Sequence, residues 1–282
     1  MKLLITGAHG QLGQDMTNLC RRSRYEVLPC SSQDLDITDY YTVLEYVSKT
    51  HPDFIVNCAA YNAVDMAEKE WEKAFFVNGT GPKNLALAAN MVGAVLVHYS
   101  TDYVFNGQID RPYTIVDFPT PISKYGESKL LGEQQVLRHA HSYYLIRISW
   151  VFGSGNMNFV KKVLEWSEKQ DLITVVDDQI SSPTYTYDLA KATLDLIKTG
   201  QYGLYHCTNA GFCSRYDFAS YILQKIGWTG DLVPGKSGEF KTPAIRPSFS
   251  ALDNFGITQV MGYTMPSWQD AVDRFLHEIG RI

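Results

Sequence analysis

The sequence predicts an α/β protein with a doubly wound parallel sheet of the Rossmann type and a smaller C-terminal lobe. Up to about residue 150, short apolar segments alternate with helical patterns. The first apolar segment, "KLLIT" at 2–6, runs directly into the glycine-rich stretch "GAHGQLG". After residue 150 the pattern loosens, and loops rich in Gly and Pro separate the elements. Continuous apolar strands between helices are typical of a parallel sheet that is covered on both faces.

The expected elements follow in chain order. We predict strands at 2–6, 25–28, 53–60, 94–100 and 143–149, and helices at 11–22, 39–50, 68–92 and between the last two strands. Beyond residue 150, we predict helices at 156–170, 187–200, 214–226 and 266–279, and strands at 172–176 and 203–207. We therefore expect a dinucleotide-binding domain over 1–150, to which about 186–208 returns, and a substrate-binding lobe over 151–282.

Three glycines span the first turn from strand to helix. Gly7, Gly10 and Gly13 have the spacing G-x-x-G-x-x-G. Glycine permits a tight turn and a close approach of the backbone to a pyrophosphate, and the helix N-terminus offers free N–H groups. Because the motif directly follows the first strand, it predicts a dinucleotide site.

The end of the second strand indicates which dinucleotide binds. An acid often follows this strand and binds the ribose hydroxyls, but Ser31 and Ser32 stand here instead. The missing carboxylate removes repulsion of a 2′-phosphate, and two hydroxyls can bind one. We predict NADPH, with NADH as the alternative, and Asp36 near the adenine. An ordinary turn with capping residues is the competing explanation.

A tyrosine and a lysine four residues apart form the candidate catalytic pair. This spacing occurs three times, at Tyr125/Lys129, Tyr187/Lys191 and Tyr221/Lys225. Only the first pair follows a strand end, "HYSTDYVF", and the carboxyl ends of the strands form the ligand crevice in a doubly wound sheet. An amphipathic helix with a half-exposed tyrosine is the alternative.

The chemistry explains why these residue types belong together. A free phenol has a pKa near 10, and a neighbouring ammonium group lowers it. Tyr125 can then donate a proton to a developing alkoxide, while Lys129 holds the nicotinamide ribose. Thr101, at the strand end, can hydrogen-bond the same oxygen.

Motifs along nearly the whole chain resemble the dTDP-4-dehydrorhamnose reductases, a family of extended short-chain dehydrogenases/reductases. They include "GAHGQLG", "NCAAYNAVDMAE", "HYSTDYVFNG", "PISKYGESKLLGE", "RISWVFG" and "RPSFSAL". The resemblance implies NAD(P)H-dependent reduction of the 4-keto group of dTDP-6-deoxy-L-lyxo-4-hexulose to dTDP-L-rhamnose. It implies catalytic roles for Thr101, Tyr125 and Lys129.

The resemblance also implies binding positions. Besides Tyr125 and Lys129, the cofactor positions are Gly7, Gly10, Gln11, Leu12, Asp36, Ile37, Ala59, Ala60 and Tyr61. The substrate positions are Thr101, Tyr103, Trp150 and Arg246, and the arginine suits a diphosphate. The chain departs from the family pattern at Ser181, Arg215 and Phe249, where glycine, tryptophan and asparagine are usual, which leaves the exact sugar open. No metal is predicted, because Tyr187 stands where a second acid would be expected.

Two other functions stay open at this point. One is a sugar-nucleotide reductase, dehydratase or epimerase on the same fold. Related dehydratases carry Asp-Glu directly after the strand-end threonine, whereas this chain has Asp102 and Tyr103. The other is a non-catalytic regulatory subunit, which needs the fold without the catalytic side chains.

Composition narrows the partners and the compartment. The 282 residues carry a net charge of −5 with no Lys/Arg run, which argues against a nucleic-acid partner. No apolar run approaches the roughly 18 residues of a membrane helix, and no signal peptide is recognised at the N-terminus. Five scattered cysteines favour reduced thiols. We expect a cytoplasmic monomer or homodimer.

Overall fold

A six-stranded parallel sheet forms the centre of the protein in the computed structural model, which describes all 282 residues. Its strands are β1 (Lys2–Thr6), β2 (Glu26–Cys30), β3 (Phe54–Asn57), β4 (Val95–Thr101), β5 (Tyr143–Ile148) and β10 (Gly203–His206). The order is β2-β1-β3-β4-β5-β10, and every neighbouring pair is parallel. The predicted doubly wound sheet is confirmed, with the direction of strand order reversing between β1 and β3.

Helices cover both faces of this sheet. They are α1 (Gln11–Arg22), α2 (Tyr40–Thr50), α5 (Gly81–Val92), α6 (Lys124–His139), α8 (Thr186–Ile197) and α10 (Phe255–Met261). Alternate residues of β1 point to opposite faces, so Leu3 and Ile5 join the core beneath α1, α8 and α10, whereas Leu4 joins the core beneath α2 and α5. The sheet is therefore buried on both sides, as its apolar strands require.

A smaller lobe has its own aromatic core. Its helices are α7 (Phe159–Lys169), α9 (Arg215–Lys225) and α11 (Trp268–Glu278), and its strands are β6 (Val151–Phe152), β7 (Leu172–Val176), β8 (Ile180–Ser181), β9 (Thr184–Tyr185), β11 (Cys213–Ser214) and β12 (Asp231–Gly235). Phe152, Phe218, Phe275 and Trp268 are buried together in that core. β12 pairs in parallel with β7. Neither β12 nor α10 was predicted.

The helix predicted over 68–92 is wrong as a single element. The segment divides into α3 (Val64–Ala67), α4 (Trp71–Phe75), a π-helical turn at Phe76–Thr80 and α5. In the π turn, the buried Asn78 side chain hydrogen-bonds the backbone of Tyr61 and donates to Ser128 Oγ at 3.0 Å. A π turn is typical where a helix must reorient a side chain for use elsewhere.

Short 3₁₀ turns complete the structure at Asp102–Val104 and Ser237–Glu239. None of the helices combines the length and the apolar character that crossing a membrane demands.

Candidate active site

A cleft of about 470 Å³ lies at the carboxyl ends of the central strands. Ten of the predicted site residues line it: Gly10, Gln11, Leu12, Ala59, Ala60, Thr101, Tyr103, Tyr125, Lys129 and Trp150. The five that do not are Gly7, Asp36, Ile37, Tyr61 and Arg246. Doubly wound sheets bind ligands in a crevice beyond the carboxyl ends of the strands, at the point where the strand order reverses.

The glycine turn is shaped to receive a phosphate group. Gly7 has φ +64°, and a Cβ there would lie 2.6 Å from the backbone nitrogen of Ala59. A Cβ on Gly13 would lie 2.2 Å from the Gly7 carbonyl oxygen, so α1 packs closely against the turn. Gly10 precedes α1 without a side-chain cap, and the first turn has no acid. The N–H groups of that turn therefore remain for an anionic ligand, which fits a dinucleotide.

The segment after β2 is arranged differently from the sequence prediction. Ser31 is not free, because its hydroxyl and backbone N–H both donate to Asp34 Oδ2, at 2.6 and 2.8 Å. Asp36 accepts two hydrogen bonds from Thr38, and the Ile37 side chain is buried in the core beneath α2 and α5. A carboxylate thus stands beside the predicted 2′-phosphate position after all, supplied by Asp34.

Tyr61 lies beside the cleft and is held by its backbone. Asn78 accepts from its N–H at 2.8 Å and donates to its carbonyl at 3.0 Å, while the phenol donates to Glu70 at 3.1 Å. Asn57 acts similarly on Ala59, accepting its N–H at 3.2 Å. Sequence reasoning missed both asparagines, although Asn57 is the first residue of the motif "NCAAYNAVDMAE".

Tyr125 is buried at the start of α6, close to the end of β4. Its ring contacts Tyr103 edge to face, with centroids 5.8 Å apart. Burial raises the pKa of Tyr125, and the neighbouring Thr101 hydroxyl opposes that rise only in part. The sequence predicts a lowered pKa for Tyr125, but the loss of solvation dominates and raises the pKa, so the phenol keeps its proton.

Lys129 lies one helical turn further along α6 and is also buried. Its ammonium donates to the Tyr99 carbonyl at 2.6 Å. Burial lowers the pKa of Lys129 to about 8, although Glu133 acts to raise it. The hydroxyl of Ser100 is buried in the same cleft without any hydrogen-bond partner. An ammonium at the cleft, with a buried and unpaired hydroxyl on a lining residue, is suited to the hydroxyls of a ribose.

A buried carboxyl group completes the centre. Asp102 accepts hydrogen bonds from Thr101 at 3.1 Å, Ser181 at 3.1 Å and Ser250 at 2.6 Å. Burial raises its pKa to about 6, against the effect of these hydroxyls. Thr101 also accepts from the Tyr103 N–H at 3.2 Å, so both its donor and an acceptor are engaged. Sequence reasoning used Asp102 only to compare enzyme classes, and its position directly after Thr101 was the available signal.

The other two Tyr-x-x-x-Lys pairs lie away from this cleft. The Tyr221 phenol and the Lys225 ammonium both bond Asp273, at 3.1 and 2.8 Å. Tyr187 packs against the core of the smaller lobe. Strand-end context therefore separates the three pairs as the sequence analysis expects.

A second cavity of about 210 Å³ opens in the smaller lobe. It is lined by aromatic side chains, by polar ones and by two arginines, Arg215 and Arg246. Arg246 forms a two-pronged ion pair with Asp65, with N–O distances of 3.1 and 2.7 Å. Trp150, in the main cleft, adopts φ +42°, which is a strained conformation for a bulky residue.

Comparison with known proteins places the chain in a family. A family model described as "RmlD substrate binding domain" matches residues 1–281. A "dTDP-4-dehydrorhamnose reductase" of Mycolicibacterium smegmatis is 38% identical over 276 residues, which is 96% of this chain and 84% of that protein. The chain belongs to the dTDP-4-dehydrorhamnose reductase family.

Further proteins and solved structures are also similar to the chain. The spore coat polysaccharide biosynthesis protein SpsK of Bacillus subtilis is 38% identical over 277 residues, 98% of this chain and 97% of that protein. A dTDP-4-dehydrorhamnose reductase from Bacillus anthracis, solved in complex with NADP, has a TM-score of 0.95 and 39% identity, covering 98% of this chain and 99% of that one. A UDP-glucose 4-epimerase from Thermus thermophilus, at 18% identity and a TM-score of 0.83, shares the fold alone, over 99% of both chains.

Proposed function

We propose that the chain is an NAD(P)H-dependent oxidoreductase that reduces the 4-keto group of dTDP-6-deoxy-L-lyxo-4-hexulose to dTDP-L-rhamnose. The observation that carries this proposal is the meeting of Thr101 and Tyr125 at the wall of a cleft whose floor is an uncapped helix N-terminus. Family membership supplies the substrate class, a dTDP-linked 4-keto-6-deoxy sugar.

Each catalytic side chain has a role that its surroundings support. The dinucleotide, when bound, supplies the hydride. Tyr125 donates the proton that the substrate oxygen needs, and its burial keeps that proton in place until then. Lys129 and the unpaired Ser100 hydroxyl hold the ribose. Thr101 hydrogen-bonds the substrate oxygen once its single hydroxyl proton turns to that oxygen from Asp102, the carboxyl group to which it otherwise donates.

The phosphate-binding groups belong to the glycine turn. We assign the pyrophosphate to the N–H groups at Gln11 and Leu12, with Gly7, Gly10, Ala59, Ala60 and Tyr61 shaping the wall around it. Asp36 and Ile37 support this region from outside the cleft, through a turn and a core contact.

The cofactor preference tests the segment after β2. We predict that NADPH binds at least as well as NADH, and that Asp34→Asn shifts the preference further towards NADPH, because it removes a negative charge beside Ser31. Calorimetric titration of both proteins with both dinucleotides measures this. A clear preference of the native chain for NADH, or an unchanged ratio in the variant, contradicts the prediction.

The proposed reaction is tested by NADPH oxidation against a panel of dTDP- and UDP-linked keto-sugars, with the product identified by chromatography. Turnover is expected with the dTDP-linked 4-keto-6-deoxy sugar. Epimerisation of a nucleotide sugar without net oxidation of NADPH would favour the epimerase alternative. A dehydratase is disfavoured because Tyr103 stands where an acid is needed.

A further inference from the structure

Arg215 lies where the two cavities of the protein meet. Of all the residues that line the 470 Å³ cleft and the 210 Å³ cavity, only Arg215 and Phe159 line both. A nucleotide sugar has the same sequence of parts: the sugar carbonyl at one end, the nucleoside at the other, and the diphosphate between them. If the carbonyl lies at Thr101 and Tyr125, the diphosphate falls at the junction.

The Arg215 guanidinium is held rigidly but has no anionic partner. It stacks on Trp150, 3.6 Å from the ring centroid, and faces Phe159 at 4.7 Å. Its backbone N–H donates to the Gln179 carbonyl at 3.1 Å, and Ser214 caps the helix that follows. No other side chain hydrogen-bonds the guanidinium, and burial lowers the pKa of Arg215 to about 10, so the group remains a cation at neutral pH.

The other charged groups nearby are already satisfied. Arg246 is neutralised by Asp65, with which it shares two hydrogen bonds. The Asp102 carboxyl accepts hydrogen bonds from three hydroxyl groups and none from the Arg215 guanidinium. Trp150 has a strained backbone and also stacks on the Arg215 guanidinium, and strained residues cluster at ligand-binding sites.

We propose that Arg215, rather than Arg246, is the principal cation that binds the diphosphate of the nucleotide substrate. The proposal rests on the proposed function for the placement of the sugar end. Arg246 then serves mainly to tie Asp65 and α3 to the smaller lobe. A planar guanidinium with its face on an aromatic ring still presents its N–H edge to phosphate oxygens.

The test compares the binding of dTDP and thymidine, two probes that differ only in the diphosphate. Arg215→Met keeps the apolar stem and removes the charge. Since a hydrogen bond to a charged group is worth about 1.5–3 kcal/mol, we expect calorimetry to show roughly 10- to 100-fold weaker dTDP binding. Thymidine and NADPH should bind as in the native chain.

Two further variants control for folding and for general loss of charge. Arg215→Gln keeps a polar side chain without the charge, and should show the same selective loss of dTDP binding. Arg138→Met, which removes an exposed arginine from the last turn of α6, should bind both probes normally.

An unchanged dTDP affinity in both Arg215 variants, or an equal loss for thymidine, overturns the proposal. The assay of turnover is separate: a chain that reduces no keto-sugar but loses dTDP affinity with Arg215 keeps this inference and refutes the proposed reaction. A chain that reduces the keto-sugar, but whose dTDP affinity does not depend on Arg215, supports the proposed reaction and refutes this inference.

Discussion

At the scale of single residues, the proposed chemistry depends on whether Tyr125 keeps its phenol proton until the reduction. Tyr125 and Lys129 are both removed from water, and burial shifts their pKa values in opposite directions, each towards the neutral form. The phenol therefore retains its proton, which suits a group proposed to give that proton up during reduction. Asp102 is affected in the same direction as the phenol, and it touches the reaction only through Thr101.

Tyr125→Phe keeps the ring and its contact with Tyr103 but removes the proton. We expect kcat to fall by about 10²- to 10⁴-fold, the usual range for a general acid, with little change in NADPH affinity. Steady-state kinetics and calorimetry measure the two effects. Tyr187→Phe and Tyr221→Phe are matched controls with the same spacing outside the cleft, and a comparable loss in either one would show that the wrong tyrosine has been assigned.

Asp102→Asn tests the buried carboxyl through the pH dependence of stability. The folded pKa of about 6 lies above the ordinary value of 3.8, so the charge on Asp102 opposes folding more as the pH rises through this range. The free energy of unfolding of the variant, relative to the native chain, should therefore increase by about 1 kcal/mol between pH 5 and pH 8. Urea denaturation at both pH values measures it, and a flat difference would place Asp102 in a better solvated site.

At the scale of elements, the sequence predicts which segments form strands and helices, but it does not predict where those elements are interrupted. The continuous apolar runs predict β1, β3 and β4, which are buried almost throughout, and the glycine turn followed by helical spacing predicts α1. The sequence pattern does not predict the π turn around Asn78, because Asn78 hydrogen-bonds the backbone of Tyr61, which lies 17 residues away. β12 carries Pro and Gly and is held by its pairing with β7, which no local pattern encodes.

The same limit applies to the site. Because ligands bind at the carboxyl ends of the strands in a doubly wound sheet, the sequence predicts that Thr101, Tyr125 and Lys129 line one cleft. The glycine turn, whose backbone is expected to bind phosphate, is predicted at the same cleft. The role of Arg215 depends on Trp150 and on the junction of two cavities, so it requires the folded lobe. The Arg246 ion pair with Asp65 joins residues 181 positions apart and was equally beyond sequence reasoning.

A buried ion pair joins β5 to α6, the helix that carries Tyr125 and Lys129. Arg147 and Glu133 share two hydrogen bonds of 2.8 and 2.7 Å, and their side chains are 3% and 1% exposed. Arg147→Met leaves the Glu133 charge buried without a partner, so we expect the free energy of unfolding to fall by about 3–5 kcal/mol. Chemical denaturation measures this change.

The control lies on the same helix. Lys124 and Glu127 form an ion pair at 2.8 Å, but both side chains are about half exposed, at 44% and 40%. Lys124→Met should lower the free energy of unfolding far less than Arg147→Met does, because water screens the exposed pair. Equal losses in the two variants would mean that burial adds nothing to the importance of the inner pair.

At the scale of the whole molecule, the two lobes are interleaved along the chain. After β5 the chain builds β6, α7 and β7 to β9 in the smaller lobe, returns to the sheet as α8 and β10, and then enters the smaller lobe again. We propose that 1–150 together with about 186–208 acts as the dinucleotide-binding domain. α10 also packs on this side, through Ile257.

A fragment of residues 1–150 should therefore fail to fold. It lacks β10, which leaves β5 as an open edge, and it lacks α8, which covers α1 and one face of the sheet. We expect no cooperative thermal transition by circular dichroism and no NADPH binding, in contrast to the full chain. A cooperative transition with retained binding would show that the first 150 residues suffice.

The interleaving also constrains how such a protein can change over time. Because both lobes draw on several separate stretches of one chain, a single genetic crossover cannot exchange the substrate half for that of another enzyme without removing part of the cofactor half. New specificity is easier to reach by replacing individual side chains in place. Arg215 lies at the junction of the two cavities. A change of one codon at such a residue can alter which ligands the protein accepts and leave the hydride chemistry unchanged.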